Sequence, residues 1–460
     1  MKKLLRGVLL GALMCLMAVL LGGCGLFKPI EDLYTLPALP DEYSHLQSSI
    51  QNVMNEMEVE YASINYGNYT STIQLLDMDN DGVQETAAVF LRVISTANLT
   101  EDEKPLRVCL FRRNSDDTYS LVHTVQGDGT SIYSVAYEDL TGDGVREMIV
   151  SWQISTKVYH LSAYQFTTSA TIELMSTSYN ERYLAVDMDG DSCKELMVFQ
   201  QHTSEEDQNR AEYYRYQDGT MMMASMAPLS ADILSVTSAR TGRLADGVDG
   251  IYVNCNRENE VITDILVLKE GSLRNVTLSS ELGYSNTTSR IYTGVNAADI
   301  NRDGILEIPL PVLATSIDPN VASTHYITYW RQFDSQGGST VVSATYHATS
   351  DGWYLVLPTT WLGEITVGRD DSRSSWGERA VVFYYWPDEE TTTPAPFLTV
   401  YTLTGENRYS RSRLFGRVTL YTGTSAIYCA NLNSDVWECG LEASDLVGQF
   451  SLITTEWSTQ

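Results

Sequence analysis

A nine-residue acidic pattern that recurs along the chain constrains the fold more than any other feature of the sequence. Its four copies read DMDNDGVQE, DLTGDGVRE, DMDGDSCKE and DINRDGILE, and they begin at Asp77, Asp139, Asp187 and Asp299. Successive starts are separated by 62, 48 and 112 residues, and the last interval is two periods of 56. A degenerate copy at the missing place, GRLADGVDG, keeps Asp246 and Gly247 in register. We call the four copies the first to fourth windows; their period indicates an architecture of repeated units.

Strand-like sequence surrounds every window. The runs that follow the four windows and the degenerate copy are TAAVFLRVI, MIVSWQI, LMVFQQ, IYVNCN and IPLPVLA, and a turn-rich hairpin comes after each. Strand–turn units of roughly 50 to 60 residues have the size of a four-stranded propeller blade, and closing blades into a ring removes exposed sheet edges. The sequence therefore predicts a mainly β fold, with a β-propeller of at least five four-stranded blades over residues 59–345.

The windows have the composition of a calcium loop. Calcium takes six to eight oxygen ligands, which a tight loop supplies from side chains at positions 1, 3, 5 and 9 and from the backbone carbonyl at position 7. We expect the first and fourth windows to bind best, because the second has Thr141 at position 3 and the third has Ser192 where glycine is expected. The predicted ligands are Asp77, Asp79, Asp81, Val83, Glu85, Asp139, Thr141, Asp143, Val145, Glu147, Asp187, Asp189, Asp191, Cys193, Glu195, Asp299, Asn301, Asp303, Ile305 and Glu307.

The windows allow two other interpretations. Asp-Gly and Asn-Gly pairs also form ordinary turns in β proteins. Four windows that share acidic residues at positions 1, 5 and 9 favour metal binding over turns alone. A helix-loop-helix calcium hand is excluded, because strands flank the loops and the last glutamate stands at position 9 instead of 12.

These loops resemble the D-x-D/N-x-D-G-x-x-D/E loops of the FG-GAP and VCBS repeat families. The resemblance covers about residues 65–345, although the other hallmark of FG-GAP repeats, a stretch that runs from Phe-Gly to Gly-Ala-Pro, is absent. It implies β-propeller blades with mainly structural calcium and a propeller that serves as a recognition platform.

The start of the chain has the order of an export signal. Lys2, Lys3 and Arg6 precede an apolar run that ends in LGGC. This arrangement is typical of a secretory signal, and LGGC resembles the bacterial lipobox. We therefore expect a signal peptide over residues 1–23, lipidation at Cys24, a linker over residues 24–40 and an extracytoplasmic protein that is lipid-anchored to the bacterial cell membrane. An uncut membrane helix is the alternative.

An amphipathic helix is predicted over residues 41–58, since Leu46, Ile50, Val53 and Met57 fall on one face.

Removal of residues 1–23 takes away three positive charges and no negative ones, so the formal charge changes from −29 to −32. Such an acidic chain excludes nucleic acid as a probable class of partner, because phosphate binding needs clustered Lys and Arg. Cys429 and Cys439 are close enough in sequence for a disulfide, a question that the sequence leaves open.

The character of the sequence changes after residue 345. GWYLVLPTTWLGEI resembles the Leu-Pro-x-x-Trp entry of small PsbP-like α+β modules in lipoproteins, and LEASDLVGQFSLITTEW has the pattern of a helix. We predict a small C-terminal α+β domain over residues 346–460. The alternative is that this part supplies further blades.

No catalytic motif stands out. The six histidines are scattered, and neither H-E-x-x-H nor G-x-S-x-G occurs. The chain has 28 tyrosines and 8 tryptophans, whose rings can stack on sugars or contact a protein. We therefore predict a non-enzymatic binding or scaffolding platform for an envelope protein or glycan. The alternatives are an envelope glycan hydrolase or lyase, with paired carboxylates in a cleft outside the windows, and a structural or assembly component.

Overall fold

The computed structural model describes residues 44–95, 104–202, 208–291, 295–388, 390–414 and 416–453. The predicted signal peptide, the lipidation site at Cys24 and the linker over residues 24–40 lie outside these ranges. Within them, no helix is long and apolar enough to cross a membrane.

The described part of the chain is mainly β and forms six sheets of four or five strands. Sheet 1 contains β1 (Val59–Tyr61), β3 (Ile73–Leu76), β4 (Thr86–Val93), β5 (Leu106–Arg113) and β6 (Tyr119–Gly127). Sheet 2 contains β2 (Ile64–Tyr66), β7 (Ser131–Glu138), β8 (Glu147–Ser155), β9 (Val158–Phe166) and β10 (Thr171–Tyr179). Sheet 3 contains β11 (Arg182–Val186), β12 (Glu195–Gln200), β13 (Arg210–Gln217) and β14 (Thr220–Pro228).

The remaining sheets follow the same plan. Sheet 4 contains β15 (Ser235–Arg243), β16 (Asp249–Arg257), β17 (Glu260–Lys269) and β18 (Ser272–Asn275). Sheet 5 contains β19 (Ile308–Leu313), β20 (Tyr326–Phe333), β21 (Ser339–Ala348), β22 (Trp353–Leu357) and β28 (Phe450–Leu452). Sheet 6 contains β23 (Ile365–Asp370), β24 (Glu378–Tyr385), β25 (Ala395–Thr404), β27 (Ala426–Leu432) and β26 (Val418–Thr422). Neighbouring strands are antiparallel except for β2, which runs parallel to β7.

Three α-helices accompany these sheets within the described residues: α1 (Ser44–Met57), α2 (Arg408–Ser412) and α3 (Leu446–Gln449). Short 3-10 turns lie at Thr349–Asp351, Thr359–Trp361 and Ser374–Trp376. The helix predicted over residues 41–58 corresponds to α1, whose side chains Leu46, Ile50 and Val53 are buried.

Four of the five strands that follow the windows and the degenerate copy are buried along most of their length, whereas β19 is exposed at Val312 and Leu313. The first six residues of β4 and of β8 are all buried, as are six consecutive residues of β16. This burial explains why their sequences are continuous apolar runs rather than alternating ones. β6, at one edge of sheet 1, instead alternates between exposed and buried side chains over most of its length.

Contacts divide the chain into two compact units. The first unit contains the described residues up to Ser63, together with Ser71–Asp77 and Asp81–Gly127. Its core is formed by Leu46, Ile50 and Val53 of α1 against buried residues of sheet 1 such as Val89 and Phe111.

The second unit contains Ile64–Thr70, Met78–Asn80 and the chain from Asp128 onward, and thus sheets 2 to 6. Each pair of consecutive sheets in this unit shares one apolar core. Leu161 and Leu196 meet between sheets 2 and 3, and Phe199 and Val253 meet between sheets 3 and 4. The cores between sheets 4 and 5 and between sheets 5 and 6 contain Tyr252 with Phe333, and Trp353 with Phe383.

The C-terminal part is arranged differently from the prediction. The boundary predicted between residues 345 and 346 lies inside β21, and β22 continues the same sheet. The segment 441–457, predicted to be one helix, contains the four-residue α3 and then β28, which pairs with β22. The side chains of β22 alternate between buried and half-buried, and Phe450 packs 5.7 Å from Trp353. Sheet pairing and aromatic packing outweigh the helix-like sequence pattern here.

The cysteines described by the structure are all free thiols, including Cys429 and Cys439. Cys429 lies in β27, and the Cys439 carbonyl accepts a hydrogen bond of 2.7 Å from the indole N–H of Trp361. The disulfide that the sequence left open is therefore not formed.

Candidate metal centres and a tyrosine cleft

The four windows have one backbone geometry. The N–H of position 7 donates to the position-5 carboxylate over 2.8 Å in every window. The N–H of position 6 donates to the position-1 carboxylate over 2.9–3.0 Å, from Gly82 to Asp77, Gly144 to Asp139, Ser192 to Asp187 and Gly304 to Asp299. Position 6 has a positive φ in all four, which lets the chain turn back on itself within a tight loop.

The carboxylates converge in three of the windows. One oxygen atom from each of several side chains lies within 4.8 Å of the others in the first, third and fourth windows. The converging groups are Asp77, Asp79, Asp81 and Glu85; Asp187, Asp189 and Glu195; and Asp299, Asp303 and Glu307. In the described structure Asp191 does not join the third group, and the second window forms no such group. The weaker metal binding expected of the second and third windows stays a prediction.

The glutamate that ends the second, third and fourth windows is held by the backbone at the start of its loop. Glu147, Glu195 and Glu307 each accept a hydrogen bond of 2.8 Å from the N–H of position 2. All three side chains are buried. Burial and, to a smaller extent, the neighbouring aspartates raise the pKa of Glu147 and of Glu195 to about 7, and burial also raises the pKa of Glu307. A cation would favour the ionised form of these groups.

Gln332 contacts the fourth window, and the sequence pattern did not predict this contact. Its side-chain amide nitrogen lies 2.7 Å from Asp303 Oδ2 and 2.7 Å from Glu307 Oε1. Gln332 is nearly buried and belongs to β20, which follows the strand after the window. Because it lies 25 residues beyond the window, no local spacing identifies it. Asn301 at position 3 also binds Asp303, with a distance of 2.9 Å.

A cleft of about 260 Å³ lies within the second unit and is rich in tyrosine. We call it the tyrosine cleft; its walls come from β2 and the residues after it, from β7, and from β11 with the turn before it. The residues that line it include Tyr66, Tyr69, Tyr133, Tyr179 and Tyr183, together with Glu138, Glu181 and Arg182.

Tyrosine rings form a continuous row along and beneath this cleft. Tyr66 and Tyr133 are stacked, with ring centres 5.4 Å apart and planes within 10° of parallel. Tyr133 is 4.5 Å from Tyr159, and Tyr159 stacks on Tyr179 at 5.1 Å. Tyr179 then meets Tyr183 edge to face at 5.8 Å. Tyr66, at one end of the row, is 51% exposed, whereas Tyr179 is buried, so the row leads from solvent into the protein.

Polar groups fix the buried end of the row. Tyr179 shares a hydrogen bond of 2.7 Å with Ser151, and Tyr183 shares one of 3.1 Å with Ser134. Burial raises the pKa of Tyr183 to about 12, so its hydroxyl is neutral at physiological pH. These contacts make the rings rigid.

Glu181 and Arg182 are both oriented by the backbone of Val236. The Val236 N–H donates to Glu181 Oε2 at 2.6 Å, and Arg182 Nε donates to the Val236 carbonyl at 2.9 Å. Arg182 Nη1 also donates to the Tyr66 hydroxyl at 3.3 Å. Burial raises the pKa of Glu181, although Lys157 and Arg182 partly oppose the effect. The cleft therefore offers a positioned acid and a positioned cation beside aromatic rings.

A larger cleft, of about 610 Å³, lies beside sheet 4. Most of the residues that line it are polar, among them Asn254, Asn256, Asn259, Glu258 and Glu260. Asn254 is held on its floor by Ser238 and by Thr263, at 2.9 and 2.6 Å. The described lining of this cleft has no aromatic ring, which distinguishes it from the tyrosine cleft.

Comparisons with known proteins assign no family to this chain. No protein-family model matches it, and no curated protein matches it. Solved structures with some similarity include the exotype rhamnogalacturonan lyase YesX, with a TM-score of 0.31 and 11% identity over 74% of each chain. Another is the rhamnogalacturonan lyase PL11 of Bacillus licheniformis, with a TM-score of 0.30 and 12% identity over 62% of this chain and 68% of that one. A third is the periplasmic gluconolactonase PpgL of Pseudomonas aeruginosa, with a TM-score of 0.27 and 11% identity over 69% of this chain and 82% of that one.

Proposed function

We propose that this protein is a lipid-anchored, extracytoplasmic binding protein that holds a glycan of the cell envelope in its tyrosine cleft, on a β-propeller stabilised by calcium. The observation that carries the proposal is the row of stacked tyrosines that ends beside Glu181 and Arg182. A sugar ring has an apolar C–H face and polar hydroxyls at its rim. It therefore needs an aromatic face and a few positioned polar groups side by side.

The shape of the cleft favours a glycan over a flat protein surface. Its volume of about 260 Å³ is at the scale of one or two sugar residues, and Tyr66 keeps half of its surface free for contact. The tyrosine rings are held by Ser134, Ser151 and Arg182. Side chains that are already ordered lose little conformational entropy when a ligand binds.

The calcium part of the proposal is supported by the donor atoms of the windows. The converging groups consist of carboxylate oxygens, which suit calcium and magnesium rather than zinc. Glycine or serine at position 6 with a positive φ gives each loop the curvature that such a site needs. Bound calcium would compensate the repulsion among the acidic side chains and would tie the start of each sheet to its neighbour.

The propeller part of the proposal is supported by the packing of the sheets and by the sequence of the windows. The lipid anchor is supported by the sequence alone. Consecutive sheets in the second unit share apolar cores, as the blades of a propeller do. The windows resemble FG-GAP and VCBS loops, and LGGC resembles a lipobox with Cys24 as the modified residue. The likeness of the C-terminal part to PsbP-like modules remains a prediction from one short motif.

The experiment is a glycan array probed with the full chain in millimolar calcium, followed by calorimetry with the best ligand. We expect Tyr66→Ala and Tyr133→Ala to weaken binding about tenfold each, because each removes one stacking contact. Tyr421→Ala is the matched control, since Tyr421 pairs with Tyr428 at 6.3 Å in sheet 6 and does not line the cleft. Equal affinity of all three variants would contradict the proposal.

A second candidate function is cleavage of such a glycan. Glu138 and Glu181 both line the tyrosine cleft and both lie outside the windows, and the raised pKa of Glu181 is a property of a general acid. The test is the release of new sugar ends from a bound glycan, compared between the parent chain and Glu181→Gln. Release that is lost in Glu181→Gln would establish an enzyme, whereas binding without release would support the binding protein.

A further inference from the structure

A basic segment interrupts this acidic chain near its C-terminal end. Arg408, Arg411, Arg413 and Arg417 fall within ten residues, with Glu406 as the acidic residue beside them. The whole chain has 30 Lys and Arg against 59 Asp and Glu. A local excess of positive charge is therefore unusual for this molecule and calls for an explanation in its contacts.

The contacts leave most of that charge uncompensated. Arg417 pairs with Glu378 at 2.9 Å and stacks over Tyr401, so its charge is neutralised inside sheet 6. Arg408 instead donates to the carbonyls of Gly405 and Thr424, at 2.9 and 3.2 Å. Arg411 donates to the carbonyl of Thr404 at 2.6 Å. Carbonyl partners hold these guanidinium groups in place without cancelling their charge.

Donor capacity also remains on the two arginines that bind carbonyls. Within the described structure, Arg408 Nε and Arg411 Nη1 have no hydrogen-bond partner and are shielded from water. Arg413 is exposed. Those two shielded nitrogen atoms are out of reach of an external ligand, but Arg408 and Arg411 are only half-buried, so the other N–H groups of these side chains and those of Arg413 can donate to anionic oxygens.

Exposed apolar side chains lie beside these arginines. Trp376 is 73% exposed, and Tyr409 and Leu414 are 48% and 49% exposed. The backbone of Trp376 is close to Arg411, because Arg411 binds the carbonyl of Thr404 and the N–H of Thr404 binds the carbonyl of Gly377, the residue after Trp376, at 2.8 Å. We define the basic aromatic face as Trp376, Arg408, Tyr409, Arg411, Arg413 and Leu414.

We propose that the basic aromatic face docks the protein on an anionic lipid bilayer. Trp and Tyr are favoured at the level of lipid headgroups, and arginines there contact lipid phosphates while their stems pack on apolar groups. Because the rest of the chain is strongly acidic, an anionic bilayer repels it except at this face. The exposed Trp376 and Leu414 favour a lipid surface over a soluble polyanion, which would gain nothing from them.

The test uses the full chain and vesicles of phosphatidylglycerol mixed with phosphatidylcholine. The double variant Arg413→Gln/Leu414→Ser alters two exposed side chains that the fold does not need. We expect it to bind anionic vesicles about fivefold more weakly than the parent chain, since one basic residue at a membrane surface is worth roughly that factor. Its matched control, Arg274→Gln/Leu282→Ser, removes one charge and one exposed leucine elsewhere and should bind like the parent chain. The N-terminal residues are the same in every variant, so their contribution cancels.

Hydrogen–deuterium exchange locates the contact. Anionic vesicles should protect peptides that cover residues 373–378 and 405–417, and vesicles of phosphatidylcholine alone should protect them much less. Equal loss of binding in both double variants, or no protection of these peptides, would overturn the proposal. Protection by soluble poly(glycerol phosphate) but not by vesicles would overturn it in favour of an anionic polymer. Neither result depends on the tyrosine cleft, which is tested with glycans.

Discussion

The backbone N–H of Lys194 donates to the carbonyl oxygen of Asp139 over 2.8 Å, which joins position 8 of the third window to position 1 of the second. The same kind of bond recurs between Leu306, at position 8 of the fourth window, and the carbonyl of Arg243 in the degenerate copy, over 3.2 Å. The acidic windows are thus also the places where one sheet is tied to the previous one. An ion bound in a window would therefore stabilise a junction between sheets as well as the loop.

The third window should be improved by glycine at position 6. Ser192 has a φ of 76°, a left-handed conformation in which a side chain is unfavourable. We expect Ser192→Gly to raise the free energy of unfolding by about 0.5 to 1 kcal/mol, because the loss of strain exceeds the added flexibility of the unfolded chain. Chemical denaturation measures this change. The reciprocal variant Gly82→Ser, at a φ of 92° in the first window with open space around the added atom, should lower stability by a similar amount. A stabilising Gly82→Ser would contradict the argument.

The second window should become a better calcium site when position 3 is acidic. Thr141 donates to Glu147 at 3.3 Å, and the carboxylates of this window do not converge as they do in the other three. We expect Thr141→Asp to add one calcium ion to the stoichiometry measured by calorimetry, or to tighten the weakest site about tenfold. Thr130→Asp places the same charge outside the windows and serves as the control. If both variants changed calcium binding equally, the effect would be one of overall charge.

His347 should make the protein sensitive to acid. It contacts Thr345 at 2.8 Å and stacks on Tyr354 at 5.3 Å, and burial lowers its pKa to about 4. Between pH 6.5 and 4 the unfolded chain takes up a proton that the folded chain does not, so stability falls as the pH falls through this range. Above pH 6.5 the residue contributes no pH dependence. Unfolding by urea at several pH values should show a smaller loss for His347→Gln, by up to about 1.4 kcal/mol per pH unit. His45→Gln, at an exposed position on α1, should behave like the parent chain.

The sequence predicted those parts of the site that lie within one loop. In three windows the residues that converge are close in sequence, as Asp77, Asp81 and Glu85 are, so their spacing could be recognised without knowledge of the rest of the fold. The second window has the same spacing and the same left-handed position 6, but its carboxylates do not converge, so the spacing alone does not determine the geometry. The strands after the windows could likewise be predicted from their runs of strand-forming residues. Patterns of this kind involve residues that are close in sequence, so they can be recognised from the sequence alone.

The remaining features depend on contacts between distant segments. The tyrosine row is formed by residues of four different strands, Tyr66, Tyr133, Tyr159 and Tyr179. The sequence indicated such a feature only through its high tyrosine content. Gln332 likewise reaches its window from another strand. The segment around Leu446 and Phe450 has a helical pattern, yet pairing of β28 with β22 determines its structure. Pairing partners of this kind are not encoded in local periodicity.

The most direct test of the account is a thermal melt of the protein in excess calcium and in excess chelator. A ligand at 100 times its dissociation constant should add about 2.7 kcal/mol per site, so calcium should raise the melting temperature by several degrees or more. Asp77→Ala and Asp299→Ala should each reduce this increase, whereas Asp218→Ala, in an exposed hairpin turn, should leave it unchanged. A melting temperature that is the same in millimolar calcium and in chelator would contradict the account, because the windows would then be turns and not metal sites.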